Sequence, residues 1–273
     1  MQGIIDADTH ISQGEAMWSL MDKTVHPRRP LMLSVPEDTV FGNRNAFWLI
    51  DGEIYPKAGG RGSFALVTPS AQKAQEGRKD STPATREMTD IKGRLGDMDK
   101  LNTAAQVVYP TLFLVYNTKD RELEVALCRA YNRFLAHASD QAPERIKWVA
   151  VLPFQSMKDA IDEIRFAKQH GAVGIFFRGI EGEYTLDNPY LFPVYEEAQK
   201  QNLSICVHTG CGVRAILEMF DISHNHTFGH TRVMPLLAFR DIIANRIPEQ
   251  FPALRFGFIE AAAGWVPFLI HIV

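Results

Sequence analysis

Six short apolar runs recur along the chain. The last five are near-continuously apolar and rich in β-branched or aromatic side chains, as is typical of strands that are covered on both faces of a sheet. The first is an apolar run that ends in two acids and a histidine, and it fits the same scheme. In chain order, the runs are GIIDADTH (3–10), AAQVVYP (104–110), IKWVAVLP (146–153), AVGIFFRG (172–179), LSICVHTG (203–210) and LRFGFIEAA (254–262). The pattern predicts six buried parallel strands.

The segments between these runs place apolar residues at the helical spacing of three and four, most clearly in 120–138. Ser156 and Gly171 bracket a second such segment as an N-cap and a stop, and Thr89 is the expected N-cap of the helix in 86–102. The predicted helices are 86–102, 120–138, 156–171, 187–202, 231–248 and 265–273. Strands and helices therefore alternate, and the crossovers should be right-handed.

The first strand is separated from the second by about 90 residues. Most of this gap, 11–86, is rich in proline, glycine and charged residues, and it contains WLIDGEIYP (48–56) with a central Asp-Gly pair. Such a pair between apolar runs predicts a β-hairpin. We interpret 11–86 as an insertion that lies over one end of the sheet.

Polar side chains stand where the predicted strands end. They are Asp8 and His10 on the first strand, Tyr109 on the second, Arg178 on the fourth, His208 on the fifth and Glu260 on the sixth. A doubly wound open sheet would not bring all of these ends to one point, whereas a (β/α)8 barrel gathers them at one rim, where such barrels place their active sites. The prediction is an α/β fold, a TIM-like (β/α)8 barrel in one domain over 1–273, with about six β/α units visible.

Asp8 and His10 are two positions apart, so both should face the same side of their strand, with Thr9 on the other side. Together with His208 and Glu260 they form a set of two imidazoles and two carboxylates, which suits Zn, Mn or Fe. The alternative for Asp8 and His10 is a hydrogen-bonded strand end without a metal. The coincidence of all four at strand ends favours the metal site.

Composition restricts the class of protein further. The chain has 273 residues, with 29 Lys and Arg against 32 Asp and Glu, a formal charge of −3 that gives no reason to expect nucleic acid as a partner. Three cysteines and the lack of a recognisable leader favour a cytoplasmic setting. No apolar run approaches the ~20 residues of a membrane helix, so no membrane association is expected.

Several longer stretches carry a family resemblance. They are IDADTH, RLGDMDKLNTAAQVVYPTL, LCRAYNRFLA, PERIKWVAVLP, DEIRFAKQHGAVGIFFRG, HTG at 208–210 and PLLAFRDIIANRIPEQFPALRFGFIEAAAGWVPFL. Together they resemble the metal-dependent amidohydrolase superfamily, and most closely its amidohydrolase 2 branch, which is similar to aminocarboxymuconate-semialdehyde decarboxylase. The resemblance covers the chain apart from 11–86.

This resemblance implies a set of metal ligands. The H-x-H of the family's first strand falls on Asp8 and His10, its strand-five histidine on His208, and Glu260 stands where many relatives have a histidine. The shift toward oxygen ligands favours Mn or Fe over Zn. His230, in a loop that also holds two other histidines, is the expected additional ligand, so one or two divalent ions are expected.

The resemblance also implies parts that this chain does not display. The family's strand-eight aspartate would lie beyond Val273, and a barrel that lacks two strands would expose two long unpaired edges. We expect the natural protein to continue past Val273, or another chain to close the gap. Relatives of this branch and the aromatic residues in 46–55 make a homodimer the expected assembly.

The leading functional hypothesis is a metal-dependent enzyme that hydrolyses or decarboxylates a small cyclic or aromatic carboxylate, with His208 and Glu260 as catalytic residues. Arg178 is the expected anchor of the substrate carboxylate, with a structural ion pair to Glu181 as the alternative. Tyr109, Trp48 and Trp265 are the other candidate substrate-binding residues. Two further hypotheses stay open: a non-haem iron, possibly diiron, oxygenase on the same scaffold, and a barrel that binds without catalysis.

Overall fold

The computed structural model describes residues 3–34, 46–55, 82–115, 118–213, 215–216 and 233–272. At its centre is a parallel sheet whose six strands are those predicted from the sequence. They are β1 (Ile4–Ile11), β5 (Thr103–Pro110), β6 (Ile146–Ala150), β7 (Ala172–Phe177), β10 (Ser204–His208) and β11 (Phe256–Ile259), hydrogen-bonded in that order. All five pairings are parallel.

Helices alternate with these strands, as predicted. They are α1 (Glu15–Trp18), α2 (Pro83–Arg86), α3 (Ile91–Lys100), α4 (Arg121–Asp140), α5 (Met157–Gln169), α6 (Phe192–Lys200), α7 (Val233–Ala244), α8 (Ile247–Gln250) and α9 (Val266–Ile272). The longest, α4, begins where Asp120 accepts a hydrogen bond from the amide of Leu123. Its apolar face packs against the sheet, since Leu123, Leu127 and Tyr131 are all buried.

Several details of the helix ends differ from the prediction. The helix expected over 86–102 begins only at Ile91, and its N-cap is Asp90, which accepts a hydrogen bond from the amide of Gly93, so the assignment of the cap to Thr89 was wrong. Ser156 does occupy the N-cap position of α5, but its hydroxyl is hydrogen-bonded to Asp159 instead of capping the backbone. The helix expected over 231–248 is divided at Arg246, whose φ of 56° is left-handed.

The sheet curls strongly from its first strand to its last. β1 and β11 stand at opposite ends of the strand order, yet the side chain of Asp8 on β1 and that of Glu260 after β11 belong to one cluster of ligand atoms within 4.8 Å of one another. A flat sheet of six strands would hold them more than 20 Å apart, at about 4.8 Å per strand. The strands therefore form a partial barrel of the TIM type, with helices on its outside.

A small antiparallel sheet joins the N-terminal part of the chain. It consists of β2 (Leu31–Ser34), β3 (Ala46–Ile50) and β4 (Glu53–Tyr55), and the β3–β4 hairpin turns at Asp51 and Gly52, both with positive φ. This confirms the predicted hairpin. The placement of 11–86 over the barrel mouth stays a prediction, because 35–45 and 56–81 lie outside the described residues.

Two contacts fix this small sheet to the barrel. The ring of Trp48 packs edge-to-face on Trp18, with centroids 6.0 Å apart, and both side chains are buried. Arg28 donates hydrogen bonds to Asp51 in the hairpin turn and to Asp120 at the start of α4.

A further pair of two-residue strands, β8 (Ile180–Glu181) and β9 (Tyr184–Thr185), follows β7. Among the described residues, no helix is long and apolar enough to cross a membrane.

Candidate metal centre

The first two residues of the centre are on β1, beside an irregularity in its pairing. Asp6 pairs with Gln106 and Thr9 pairs with Val108, so three steps along β1 match two steps along β5. This is a β-bulge, and bulges commonly re-aim side chains next to active sites. After the bulge, the side chains of Asp8 and His10 point to the inside of the barrel, where both lie close to His208. The prediction that they share one face is therefore confirmed.

His208 is the last residue of β10 and is completely buried. Its Nδ1 atom lies 2.7 Å from the carbonyl oxygen of Thr209, and Nδ1 of His10 likewise lies 3.0 Å from the carbonyl oxygen of Pro110. A carbonyl only accepts, so each Nδ1 must carry the proton and donate it. Each Nε2 is thereby left facing the centre, in the way that metal-binding histidines are usually held.

The backbone after β10 closes tightly over the neighbouring loop. Gly210 has a φ of 149°, and a Cβ at this position would lie 2.6 Å from the carbonyl oxygen of Leu114. That oxygen accepts a hydrogen bond from the amide of Cys211, which ties the loop after β10 to the loop after β5. Glycine at position 210 therefore permits the close approach that holds His208 in place.

Glu260 follows β11 directly and has a φ of 52°. A non-glycine residue in the left-handed region costs about 1 kcal/mol or more and commonly marks a functional site. Its side chain is 55% exposed, the most accessible of the group, and its Oε2 atom lies 3.7 Å from Nε2 of His208. The strained backbone thus turns a carboxylate back over the rim toward the histidine.

The four side chains fit a divalent cation. Asp8, His10, His208 and Glu260 each offer one ligand atom, and these atoms all lie within 4.8 Å of one another. Oδ1 of Asp8 lies 3.3 Å from Nε2 of His208 and 3.6 Å from Nε2 of His10. Because both Nδ1 atoms donate to carbonyls, each Nε2 either carries a second proton and donates it to a carboxylate or presents a lone pair to a cation. A divalent cation would take the place of such protons and bind the imidazoles and the carboxylates together.

The electrostatics of Asp8 agree with this arrangement. Partial burial acts to raise the pKa of Asp8, but the hydrogen bond to His208 and the charges of His208 and His10 outweigh it. The pKa therefore lies below its usual value of 3.8. Asp8 is thus ionised, the form in which a carboxylate binds a metal.

Aromatic rings form the inner wall of the centre. Tyr109 on β5 has its ring centroid 5.2 Å from that of His208, and Phe176 on β7 lies 6.1 Å from it. Burial raises the pKa of Tyr109, and the neighbouring Cys206 adds to the shift. The phenol consequently keeps its proton, and it is hydrogen-bonded to Cys206. The substrate-binding role of Tyr109 stays a prediction, and Phe176 was not identified from the sequence.

Arg178 forms an ion pair with Glu181, which was the alternative to its predicted role as a substrate anchor. Its Nε atom donates to Oε2 of Glu181 at 3.0 Å, Nη2 approaches the same oxygen at 2.5 Å, and Nη1 donates to the carbonyl of Phe113 at 3.2 Å. Arg178 is buried and Glu181 is only 1% exposed. The guanidinium thus joins the loop after β7 to the segment after β5. Its role as a substrate anchor stays a prediction.

The remaining predicted site residues are not members of the cluster or lie outside the described part of the chain. Trp48 packs in the core against Trp18. The indole of Trp265 donates a hydrogen bond to the carbonyl of Ala261 and packs on Phe258. His230 lies outside the described residues.

Comparisons with known proteins agree with the fold. A family model described as amidohydrolase, Amidohydro_2, matches residues 5–272. An amidohydrolase from Mycobacterium avium subsp. paratuberculosis K-10 superimposes with a TM-score of 0.71 at 16% identity, covering 99% of this chain and 76% of its own.

Two decarboxylases are also similar in structure. A dihydroxybenzoic acid decarboxylase from Polaromonas sp. JS666, with bound manganese and the inhibitor 2-nitroresorcinol, gives a TM-score of 0.59 at 19% identity over 94% of this chain and 65% of its own. The 5-carboxyvanillate decarboxylase of Novosphingobium aromaticivorans, complexed with manganese, gives 0.58 at 20% identity over 74% and 59%. The chain thus spans 59% and 65% of the lengths of these two decarboxylases.

Proposed function

Because this chain belongs to the amidohydrolase family, we propose that it is a metal-dependent enzyme that decarboxylates, or hydrolyses, a small cyclic or aromatic carboxylate. The observation that carries the proposal is the cluster of Asp8, His10, His208 and Glu260 at the carboxyl ends of three strands of a barrel-type sheet. This is the rim at which barrels of this type place their chemistry.

Asp8, His10, His208 and Glu260 are the proposed ligands. A set of two carboxylates and two imidazoles suits Mn²⁺ or Fe²⁺ better than a set of histidines and cysteines does. Zn²⁺ also binds carboxylates and imidazoles. When bound, the ion would neutralise the negative charge of a substrate carboxylate and polarise an oxygen beside it. The aspartate and the two histidines have fixed orientations, so the cation need not reorganise them.

Glu260 and His208 are the proposed catalytic residues. The carboxylate of Glu260 is the most exposed of the four and therefore the one that a substrate can reach. In decarboxylation its carboxyl group, once protonated from solvent, would deliver that proton to the ring carbon that loses CO2, and in hydrolysis its carboxylate would take a proton from the attacking water. His208 is buried with its Nδ1 held, so its Nε2 stays directed at the metal site, where it would help to position the ion beside the reacting group.

Tyr109 would orient the substrate. Its ring lies beside both His208 and His10, at centroid distances of 5.2 Å and 6.3 Å. Burial keeps the phenol protonated, and its hydroxyl, which is hydrogen-bonded to Cys206 in this structure, would turn to donate to a substrate oxygen. The aromatic wall of Tyr109 and Phe176 is also suited to stack against a planar ring. Both features support an aromatic carboxylate over an aliphatic one.

The similar structures support the proposal of an aromatic carboxylate as the substrate. The structures from Polaromonas and Novosphingobium are named for the decarboxylation of dihydroxybenzoic acid and 5-carboxyvanillate, and both contain manganese. At 19% and 20% identity they share the fold with this chain, so the substrate class is carried over here as a proposal.

The test is a reaction screen with metal-free protein reloaded with Mn²⁺, Fe²⁺ or Zn²⁺. The probes are 2,6-dihydroxybenzoate and 5-carboxyvanillate, followed by CO2 release, and the lactone dihydrocoumarin, followed by hydrolysis. We expect CO2 release that His208→Ala abolishes and that His137→Ala, an exposed histidine on α4, leaves unchanged.

Other outcomes assign other functions. Hydrolysis alone would select the hydrolase reaction, and oxygen consumption with Fe²⁺ would replace the proposal with the iron oxygenase, which the same ligand set could also serve. If the loaded protein turns over none of the probes and consumes no oxygen, the proposal is contradicted and a non-catalytic barrel becomes the better account.

A further inference from the structure

The bulge in β1 reverses which residues face the helices. Gln106 and Val108 are two apart on β5, so they point to the same side of the sheet, opposite to Tyr109. Their partners on β1 are Asp6 and Thr9, which must therefore also share that outer side. With regular alternation Asp6 would face the same way as Asp8. The extra residue of the bulge separates them.

A single arginine contacts one flank of this bulge, Thr9, directly and the other flank, Asp6, through Gln106. Arg94, on α3, donates from Nη2 to the hydroxyl of Thr9 at 3.3 Å and from Nε to Oε1 of Gln106 at 3.0 Å. Gln106 in turn donates from Nε2 to Oδ2 of Asp6 at 3.3 Å. The other oxygen of Asp6 accepts the backbone amide of Asp8 at 3.2 Å. Hydrogen bonds thus connect the guanidinium of Arg94, through Gln106 and Asp6, to the backbone amide of the proposed ligand Asp8.

These groups are poorly accessible to water, which makes their contacts costly to lose. Arg94 is 7% exposed and Gln106 is 8% exposed. A third guanidinium nitrogen, Nη1, donates to the carbonyl of Thr85, so the arginine is fixed from three directions. Burial lowers the pKa of Arg94 to about 10, against the opposing charge of Asp6, so the guanidinium is still ionised at neutral pH. Buried polar networks of this kind select one arrangement of the backbone.

We propose that Arg94 is a positioning residue for the metal centre, which holds the β1 bulge so that Asp8 and His10 face the inside of the barrel. A shift of β1 by one residue would turn both side chains toward the helices. The bulge by itself does not prevent that shift, whereas hydrogen bonds to both of its flanks do. This inference rests on the proposed metal site, but it concerns the conformation of β1, which can be measured without a metal.

The first experiment compares the Mn²⁺ affinity of metal-free wild type and Arg94→Met, measured by isothermal titration. We expect an affinity lower by about 10- to 100-fold, the range found when groups that orient metal ligands are removed. Arg94→Lys, which keeps the charge and one donor, should lie between the two. Arg145→Met is the matched control, because Arg145 contacts the carbonyls of Thr103 and Ala104 at the other end of β5.

A merely structural arginine would give a different pattern. Both methionine variants would then lower the melting temperature, and neither would change the affinity of the folded protein. If Arg94→Met binds Mn²⁺ within twofold of wild type, the proposal is overturned. If Arg94→Met does not fold, Thr9→Val decides, since it removes only the hydroxyl on the bulge. An affinity lowered at least threefold supports the proposal, and an unchanged one overturns it.

A crystal structure of the metal-free variant separates this inference from the proposed function. We expect the Asp8 carboxylate to move away from Nε2 of His208, and the pairing of Asp6 and Thr9 with β5 to change. Retention of the 3.3 Å separation found in the wild type would overturn the positioning role. Failure of the wild type to bind Mn²⁺ would count against the proposed function, and this crystal structure would still decide the role of Arg94.

Discussion

Oδ1 of Asp8 lies 3.3 Å from Nε2 of His208, although 200 residues separate the two in sequence. The contact joins the first strand of the sheet to its fifth, so it exists only because the sheet curls into a partial barrel. Each residue has a second hydrogen bond: the backbone amide of Asp8 donates to the carboxylate of Asp6, and Nδ1 of His208 donates to the carbonyl of Thr209. The proposed function requires that a metal ion bind at this contact.

Replacement of Asp8 tests its role as a ligand. Asp8→Asn removes a negative charge and keeps the size of the side chain, so it should lower the Mn²⁺ affinity. We expect a loss of at least about tenfold, because removal of a group that only orients a ligand already costs about that much. Asp22→Asn is the control, because Asp22 is exposed and its carboxylate accepts hydrogen bonds from its near neighbour Thr24. Equal affinities of the two variants in titration calorimetry would remove Asp8 from the centre.

Arg178 and Glu181 should stabilise the protein as a pair. Arg178→Met leaves the buried carboxylate of Glu181 without its partner, at an expected cost of about 3–5 kcal/mol in the free energy of unfolding. The double variant Arg178→Met/Glu181→Leu should recover much of that loss in urea denaturation. Lys158→Ala, which breaks an exposed pair with Asp162, should have no measurable effect.

The same double variant tests the anchor hypothesis for Arg178. If the guanidinium holds the substrate carboxylate, KM should stay raised after stability has been recovered. A KM that returns to the wild-type value with the stability would assign Arg178 to the structural alternative alone.

Glu124 should make stability depend on pH near neutrality. Burial raises its pKa from 4.5 to about 7, against the opposing hydrogen bonds from Gln155. Between these two values the folded protein holds a proton that the unfolded chain has lost, so stability falls as pH rises through this window. At one unit of pKa per about 1.4 kcal/mol, the loss amounts to up to about 3 kcal/mol.

Glu124→Gln removes this titration. In urea denaturation at pH 5 and pH 8, the variant should lose less stability between the two values than wild type does. Glu122→Gln, at an exposed position in the same turn of α4, should retain the wild-type difference. An unchanged difference in Glu124→Gln would mean that this carboxyl titrates normally.

Two glycines should respond in opposite ways to alanine. A Cβ on Gly179 would lie 2.0 Å from the carbonyl oxygen of Met234, so Gly179→Ala must displace α7 and should destabilise by about 1–3 kcal/mol or more. Gly96, inside α3, has open space at the corresponding position, and Gly96→Ala should stabilise by about 0.5–1 kcal/mol. Thermal unfolding of the two variants checks both signs. A neutral Gly179→Ala would show that α7 can shift freely.

The strands and most helices were predictable because their signals are local. Apolar runs such as IKWVAVLP and the periodicity of 120–138 determine burial and period without knowledge of the rest of the fold. The cap of α3 was misassigned because Thr89 and Asp90 are both good capping residues and are adjacent, so composition does not separate them. Arg246 divides the helix predicted over 231–248 through a left-handed φ that carries no signal in the apolar pattern.

The site was predictable as a set of strand ends, but not in its supporting contacts. The bulge in β1 adds a residue without altering the visible alternation, so the outward direction of Asp6 could not be foreseen. One signal was available: Gln106 is a polar residue in the middle of the apolar run AAQVVYP, and such a residue needs a buried partner. That partner, Arg94, lies 12 residues away on a helix. The expected homodimer stays a prediction.

Anomalous diffraction from a crystal of the full-length protein soaked in Mn²⁺ tests the central claim most directly. The predicted result is one anomalous peak within coordination distance of Asp8, His10, His208 and Glu260, absent from a crystal of His208→Ala. No peak at these residues in a protein that is folded and supplied with the metal, or a peak that persists in the variant, would contradict it.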